Sequence, residues 1–565
     1  MKNVFRLLLV ITLLCPLTLG CSGKSGDDDA TDDDNDTSFD DDSIDDDSSD
    51  DDTQIDDDSM DDDSADDDSS DDDSSIDDDT LDDDTLNDDT VDDDTTDDDS
   101  SDDDSGDDDT LADDWIADWP QSNIELRDYN ESLDPGALRL KVEAYDAWHL
   151  ANHQPYYGGT VDTKFTDDSR TVPQAYGGWG DSCIWTGTYL GSQAFRYYVT
   201  DDTVAKQNAI NMVNTLDGFL HVTGKPGFIA RYWGPQDSLI YQGDTWCDDP
   251  NNDRCHHIED GDYAGDFWWG ETSRDQYTGW FFGMAVAYDL VDDEDIRNII
   301  RADITEVLNA LIDQNWLIID EAGQPTDAAP NILPPMRMSW LTIGYHITGE
   351  SRFKTELQKW LLNSNRITLQ LSSISFTNRY AQYYGNNLSH TNWFNLLRLG
   401  KVYFSEDDYN FLLNLFETQV HTFTRLSHNP WFNDVFMSQG NYNPNKNDDP
   451  YYEQLFQDLT DFRDAPNYSY YLAERTGYEL DPISVFLHNL EVQFPWLENL
   501  IGGVDPQAID AFPVPLQCSS GFLFQRNPFV FQECGVDDPT DVNPGVDYLI
   551  AYWLASYSKF IKKDL

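Results

Sequence analysis

"DSCIWTGTYLGSQAFRYYV", residues 181–199, is followed by Thr200-Asp201-Asp202 and then by "TVAKQNAINMVNTLDGFLHVTG", residues 203–224. The first run is apolar nearly all round, the pattern of a buried helix. The second is amphipathic: Ile210, Val213, Leu216 and Leu220 fall at helical spacing while Lys206, Asn208 and Asn214 face away. Thr200 to Asp202 supply an N-cap signal for the second helix, and Gly224 with Pro226 supplies its stop. An inner helix, a short acidic turn and an outer helix make one αα-hairpin.

The same grammar recurs along the chain. "RDQYTGWFFGMAVAYDLV" (274–291) leads through "DDED" into "IRNIIRADITEVLNALIDQNW". "MRMSWLTIGYHI" (336–347) leads through "TGES" into "RFKTELQKWLLN", and "HTNWFNLLRLGKVYF" (390–404) through "SEDD" into "YNFLLNLFETQVHTFTR". A fifth pair falls around Tyr451–Arg475. The last apolar helix, "GVDYLIAYWLASYSKFI" (545–561), takes Pro135–His153 as its partner. Gly187 with Gly191, and Gly279 with Gly283, let neighbouring inner helices approach closely. The same spacing marks transmembrane helix pairs, but polar residues interrupt every run here. A solenoid would keep a fixed repeat, whereas these turns fall near 201, 293, 349 and 406 at unequal intervals. The expectation is an all-α domain over residues 115–565, a closed double ring of hairpins. Its loops are elaborated into a binding face, Lys225–Asp266 being the largest insertion.

The first 114 residues obey other rules. "MKNVFRLLLVITLLCPLTLGC" has a basic start (Lys2, Arg6) and a short apolar core. It is too short to span a bilayer, which needs about 20 apolar residues. It resembles a bacterial lipoprotein signal over residues 1–20, with cleavage before Cys21 and lipid on that thiol; Thr18 stands where Leu is usual. An ordinary secretory signal is the other reading, and both place the protein outside the cytoplasm, on the outer membrane or cell surface. Between Asp27 and Asp114 stand 50 aspartates and no lysine or arginine. Such a run buries nothing and repels itself, so residues 21–114 read as a disordered stalk. At about 3.3 Å per extended residue it could reach roughly 200 Å or more. Its carboxylates suit loose Ca²⁺ condensation, without the Gly or Cys punctuation of defined metal loops.

Of the formal charge of −80, the stalk leaves about −30 on the rest, which argues against nucleic acid as a partner. No later segment is long and apolar enough to span a membrane. Of the seven cysteines, Cys15 leaves with the signal. Two close pairs, Cys247/Cys255 and Cys518/Cys534, are natural disulfides in an oxidising compartment, leaving Cys183 as a buried free thiol.

From roughly Leu138 to Ile561 the paired helices, "WGDSCIWTGTYLGSQAFRYYVTDD", the helix start "TSRDQYTGWFFG" and the closing "GVDYLIAYWL" resemble the six-hairpin, (α/α)6-toroid glycosidases. That superfamily includes unsaturated glucuronyl hydrolases. The resemblance implies an (α/α)6 toroid with a cleft where the N-terminal ends of the inner helices converge. Sugar epimerases and polysaccharide lyases share such toroids, so reaction does not follow from fold. Applied residue by residue, the rule offers Asp181 and Trp185, then Glu271, Arg274 and Asp275, then Arg337, then His390 and Asn392, and finally Asp547.

Glycosidic cleavage needs one protonated carboxyl and one ionised carboxylate. Asp275 and Asp181 are the acid/base candidates, with Glu271 as a supporting acid. Trp185, Trp269, Arg337, His390, Asn392 and Asp547 are substrate-binding candidates. Each acid also has a plain structural reading. Thr272–Asp275 matches a capping box, Asp181 an N-cap, and Asp547 a first-turn charge suited to the helix dipole. His346 reads as a core histidine. "CDDPNNDRCHHIEDGD" (247–262) alternates Asp249, Asn251 and Asp253 like an EF-hand start, but Arg254 replaces the required glycine. No zinc, P-loop, dinucleotide or nucleophile-elbow motif appears, and no metal or cofactor is expected at the site. The leading reading is a surface-anchored glycoside hydrolase acting on a glycan. Its rivals are a non-catalytic glycan-binding scaffold and a polysaccharide lyase using His390 and a nearby Tyr.

Overall fold

A computed structural model describes residues 116–117, 136–239, 254–439, 450–472, 475–518, 525–531 and 535–561. The signal, Cys21, the acidic stalk, Cys247, Cys534 and the Asp249–Asp253 alternation lie outside the described residues. What is described is mainly helical, as expected, and it also contains two small antiparallel sheets that the hydrophobic pattern does not announce.

The longer helices are α1 (Gly136–Asn152), α2 (Ser182–Thr200), α3 (Thr203–His221), α4 (Arg274–Leu290), α5 (Glu294–Asp313), α6 (Pro334–Thr348) and α7 (Ser351–Leu361). They continue with α8 (Asn363–Ser372), α9 (Tyr384–Tyr403), α10 (Glu406–Leu415), α11 (Pro430–Ser438), α12 (Pro450–Asp461), α13 (Pro482–Gln493) and α14 (Val546–Tyr557). The acidic turns do the capping that their sequence implies. Asp202 accepts from the Val204 N–H at 2.8 Å, Asp293 from those of Asp295 and Ile296, and Ser405 from that of Asp408 at 3.2 Å. Each cap satisfies donors that a helix start leaves orphaned.

α2 is buried continuously from Ser182 to Phe195, and α14 along its whole length. α2 packs between α14 and α4. α4 also packs on α6, α6 on α9, α9 on α11, and α11 on α14. The amphipathic members lie alongside: α3 on α2, α5 on α4, α7 on α6, α10 on α9, α12 on α11 and α1 on α14.

The α2–α4 crossing explains the paired glycines. A Cβ on Gly187 would stand 2.0 Å from the Gly279 carbonyl oxygen, and one on Gly283 would stand 2.2 Å from that of Gly187. Only bare backbone fits there. One detail of the amphipathic reading is corrected. Asn208 is 4% exposed and directs its amide at Tyr189 and Gln193, whereas Ile210 is half-buried. α3 is sandwiched more deeply than its polar residues imply.

Buried ion pairs tie helices across the core. Asp289 of α4 accepts from His346 of α6 at 2.7 Å and from Arg398 of α9. Asp146 of α1 meets Gln193 at 2.7 Å and Arg196 at 3.2 Å, both of α2, and Trp553 of α14 at 3.1 Å.

The first sheet has the order β2 (Pro173–Gly177), β1 (Asp162–Phe165), β7 (Asp538–Asn543), β6 (Asn467–Ser469). β2 runs into α2 and β7 into α14, so this sheet joins the starts of two adjacent buried helices. The second sheet, β3 (Tyr232–Pro235), β5 (Asp266–Trp269), β4 (Cys255–His257), is made from the Lys225–Asp266 insertion and the strand that ends it. Cys255 and Cys518 are each disulfide-bonded, and Cys183 is a buried free thiol. Among the described residues no helix is long and apolar enough to cross a membrane.

Candidate active site

Asp162 sits in β1 directly opposite Gly177 of β2. The next residue, Gly178, has φ +68°, and a Cβ there would stand 2.6 Å from Asp162 Oδ2. Glycine is therefore required twice, for the left-handed backbone and for room beside the carboxyl. A single 3₁₀ turn, Trp179–Asp181, then delivers Asp181 to the threshold of α2, its N–H donating to Gly178 O at 3.1 Å.

The Asp181 carboxylate makes no capping hydrogen bond to α2. It accepts instead from Gln276 Nε2 at 3.0 Å, with Arg231 Nη1 at 4.0 Å. Gln276, in the first turn of α4, also accepts the Ile184 N–H at 3.0 Å, so one side chain registers two helix starts. Arg231 is fixed by donation to Glu271 O at 2.8 Å and Gly180 O at 3.0 Å. Asp275 lies half-buried beside Gln276. The proposed capping box is not what starts this helix. Ser273 occupies the N-cap without a side-chain bond, and the Thr272 hydroxyl donates to Ile229 O at 2.6 Å.

Two further aspartates come from the far end of the chain. Asp541 of β7 accepts from the Ser469 hydroxyl at 2.9 Å. Asp547, in the first turn of α14, is fully buried and takes the Tyr548 N–H at 2.9 Å. Burial, then the negative charges of Asp541, Asp181 and Asp547, push the Asp162 carboxyl up to about 8, against a smaller opposing pull from Arg526. Burial likewise raises Asp541. Four acids from β1, the α2 threshold, β7 and α14 thus share one electrostatic neighbourhood. Trp179 stands edge-on to Trp269 at 4.2 Å, and Tyr176 edge-on to the exposed Tyr156 at 6.1 Å.

Asp181 therefore joins a carboxyl cluster, and Asp275 lies one residue from the side chain that holds it. The other sequence candidates take structural places. His390 is fully buried, its Nδ1 facing Asn386 O at 2.8 Å and its ring stacked on Phe432 at 4.1 Å. Burial drives its basicity down to about 3. Asn392 accepts from Trp340 Nε1 at 2.8 Å and donates to Thr278 and Leu388 O. Both belong to the core because α9 begins at Tyr384, six residues before His390.

Arg337 donates to Ile332 O at 2.7 Å between the rings of Trp316 and Trp360. Glu271, at φ +52°, accepts the Asp327 N–H at 2.9 Å and so anchors a loop. Trp185 and Trp269 are 7% and 4% exposed, too buried for sugar platforms. Asp547 contributes its charge from within the core and has no surface with which to touch a ligand.

Sequence reasoning missed Asp162 and Asp541 because it considered only helix starts. The available signal was the alternating "VDTKF" strand running toward Gly177-Gly178. Among the described residues, Asp217, His221 and Asp303 have metal-ligand spacing, on α3 and α5. A cavity of about 410 Å³ opens at α13 beside His488 and Glu491, but both already engage the Val504 backbone, at 2.8 and 2.6 Å. No family model, curated protein or solved structure matches the chain.

Proposed function

We propose that this domain is an (α/α)6 toroid that hydrolyses a glycan, with Asp162 as general acid and Asp181 as its ionised partner. The succession of neighbours α14–α2–α4–α6–α9–α11–α14, each with an outer companion, supports the ring. The observation that carries the chemistry is that Asp162, on β1, and Asp181, at the start of α2, fall within one electrostatic neighbourhood. One carboxyl is held protonated by burial and like charge, and the other is served by Gln276 and Arg231.

Hydrolysis at a glycosidic bond asks for that asymmetry: a proton for the leaving oxygen, and a carboxylate to activate water or attack carbon. Burial, and after it the charges of Asp541, Asp181 and Asp547, keep the Asp162 proton in place near neutrality. Tyr176 and Trp179 stand on the strand and turn that lead to Asp181, and Tyr176 meets the exposed Tyr156; such partly exposed rings suit the apolar faces of sugars. The lyase reading loses its base, because His390 lies in the core. The signal resemblance and the aspartate run support an exported, lipid-anchored enzyme held away from its membrane on an acidic stalk.

The test is reducing-end release from a panel of oligosaccharides by wild type, Asp181→Asn and Asp162→Asn. Turnover by wild type with loss of at least ~100-fold in each variant is expected. Glycan binding without turnover by wild type would favour the scaffold reading instead.

A further inference from the structure

Asp217 and His221 lie four residues apart on one face of α3, and α5 brings Asp303 against them. One ligand-capable atom from each lies within 4.8 Å of the others. His221 Nδ1 is 3.1 Å from Asp217 Oδ1. Asp303 is 3% exposed, and its Oδ2 is fully enclosed with no hydrogen-bond donor. A buried carboxylate oxygen left unsatisfied is costly. Its charged neighbours are Asp217, the His221 imidazole and Glu306, whose Oε1 is taken by the Gly227 N–H at 2.9 Å.

We propose that Asp217, His221 and Asp303 bind one divalent cation of the zinc class, which fastens α3 to α5. The ligand set selects the ion. Ca²⁺ takes six to eight oxygens, whereas one imidazole with two carboxylates suits a small borderline metal with water in the remaining position. Ligand atoms around tetrahedral zinc stand roughly 3.4 Å apart, given bonds near 2.0–2.2 Å. His221 Nδ1 and Asp217 Oδ1 already stand 3.1 Å apart; any wider separation in the trio, at most 4.8 Å, closes as the metal draws the ligands in, with the contact of Nδ1 to Asp217 O at 2.9 Å giving way.

The test uses the full-length chain, stripped with chelator and kept in excess Mg²⁺ to occupy the aspartate run. Zn²⁺ is titrated by calorimetry, and melting is followed with and without Zn²⁺. Wild type is expected to show one site tighter than the background of the acidic run, and Zn²⁺ to raise its melting temperature. His221→Ala, at a surface position where folding is not at stake, should lose that site and the thermal shift. Asp303→Asn should weaken binding at least tenfold. Identical isotherms for wild type and His221→Ala, or a melting temperature that Zn²⁺ leaves unmoved, would overturn the proposal.

Discussion

Replacing Gly187 with alanine puts a methyl group where two backbones already touch. The new carbon would stand 2.0 Å from Gly279 O, 2.3 Å from Gly279 C and 2.9 Å from Trp280 N. Ordinary contact begins near 3.4 Å, so α2 and α4 must separate by more than about 1 Å, and no rotamer change can absorb it. Overpacking of this kind typically costs about 1–3 kcal/mol, and more where backbone must move. Alanine returns about 1 kcal/mol of helix propensity. A clash at the top of the range leaves a net loss of about 2 kcal/mol. For a domain of some 450 residues the unfolding entropy is roughly 0.9 kcal/mol/K, so the melting temperature should fall by about 2 °C. Gly136→Ala is the control, because nothing lies within 4 Å of a Cβ there. Scanning calorimetry on the pair decides the matter. If Gly187→Ala melts at or above wild type, like the control, the two helices are not in backbone contact and the reasoning fails.

Asp289→Ala strands Arg398 and His346 in the core and should cost about 3–5 kcal/mol in urea unfolding; a loss below ~1 kcal/mol would show that the pair is not enclosed. Asp162 keeps its proton in the folded state up to about 8, whereas the unfolded chain releases it near 4. Wild type therefore loses stability as pH rises through that interval. Asp162→Asn should gain on wild type from pH 4 to 8 and hold level above, read from urea midpoints; a constant difference would contradict the raised acid. His390 has the opposite sign. Folded, it stays neutral down to about 3, so its stability contribution is complete above pH 6.5 and shrinks as pH falls. The advantage of wild type over His390→Phe should narrow between pH 6.5 and 4, and a pH-independent gap would place the imidazole near solvent.

The parts of the fold written in local sequence were the helices. Asp202, Asp293 and Ser405 mark their own helix starts, and the Gly187/Gly191 and Gly279/Gly283 spacings announce a close crossing. What was not legible depends on partners far along the chain. Thr163 pairs with Val542, and strands of three to six residues leave at most a brief alternation such as "VDTKF". The raised Asp162 carboxyl comes from burial and then from Asp541, Asp181 and Asp547, all of which only folding brings about. His390 and Asn392 were misjudged for a simpler reason. The sequence reading starts the helix at His390, in "HTNWFNLLRLGKVYF", whereas Tyr384 already begins it, so the two candidates lie in its interior rather than at its end. Asp181 stays at the threshold of α2, where the 3₁₀ turn leaves its carboxylate facing Gln276 rather than capping.

The most direct test of the carboxyl cluster is hydrolysis of aryl glycosides with good and poor leaving groups by wild type, Asp162→Asn and Asp181→Asn. An acid matters only where the leaving oxygen needs a proton. If Asp162 is that acid, Asp162→Asn should lose ~10²–10⁴ in kcat/KM on poor leaving groups and little on good ones, while Asp181→Asn fails on both. Equal activity of all three proteins on both substrate types would contradict the account.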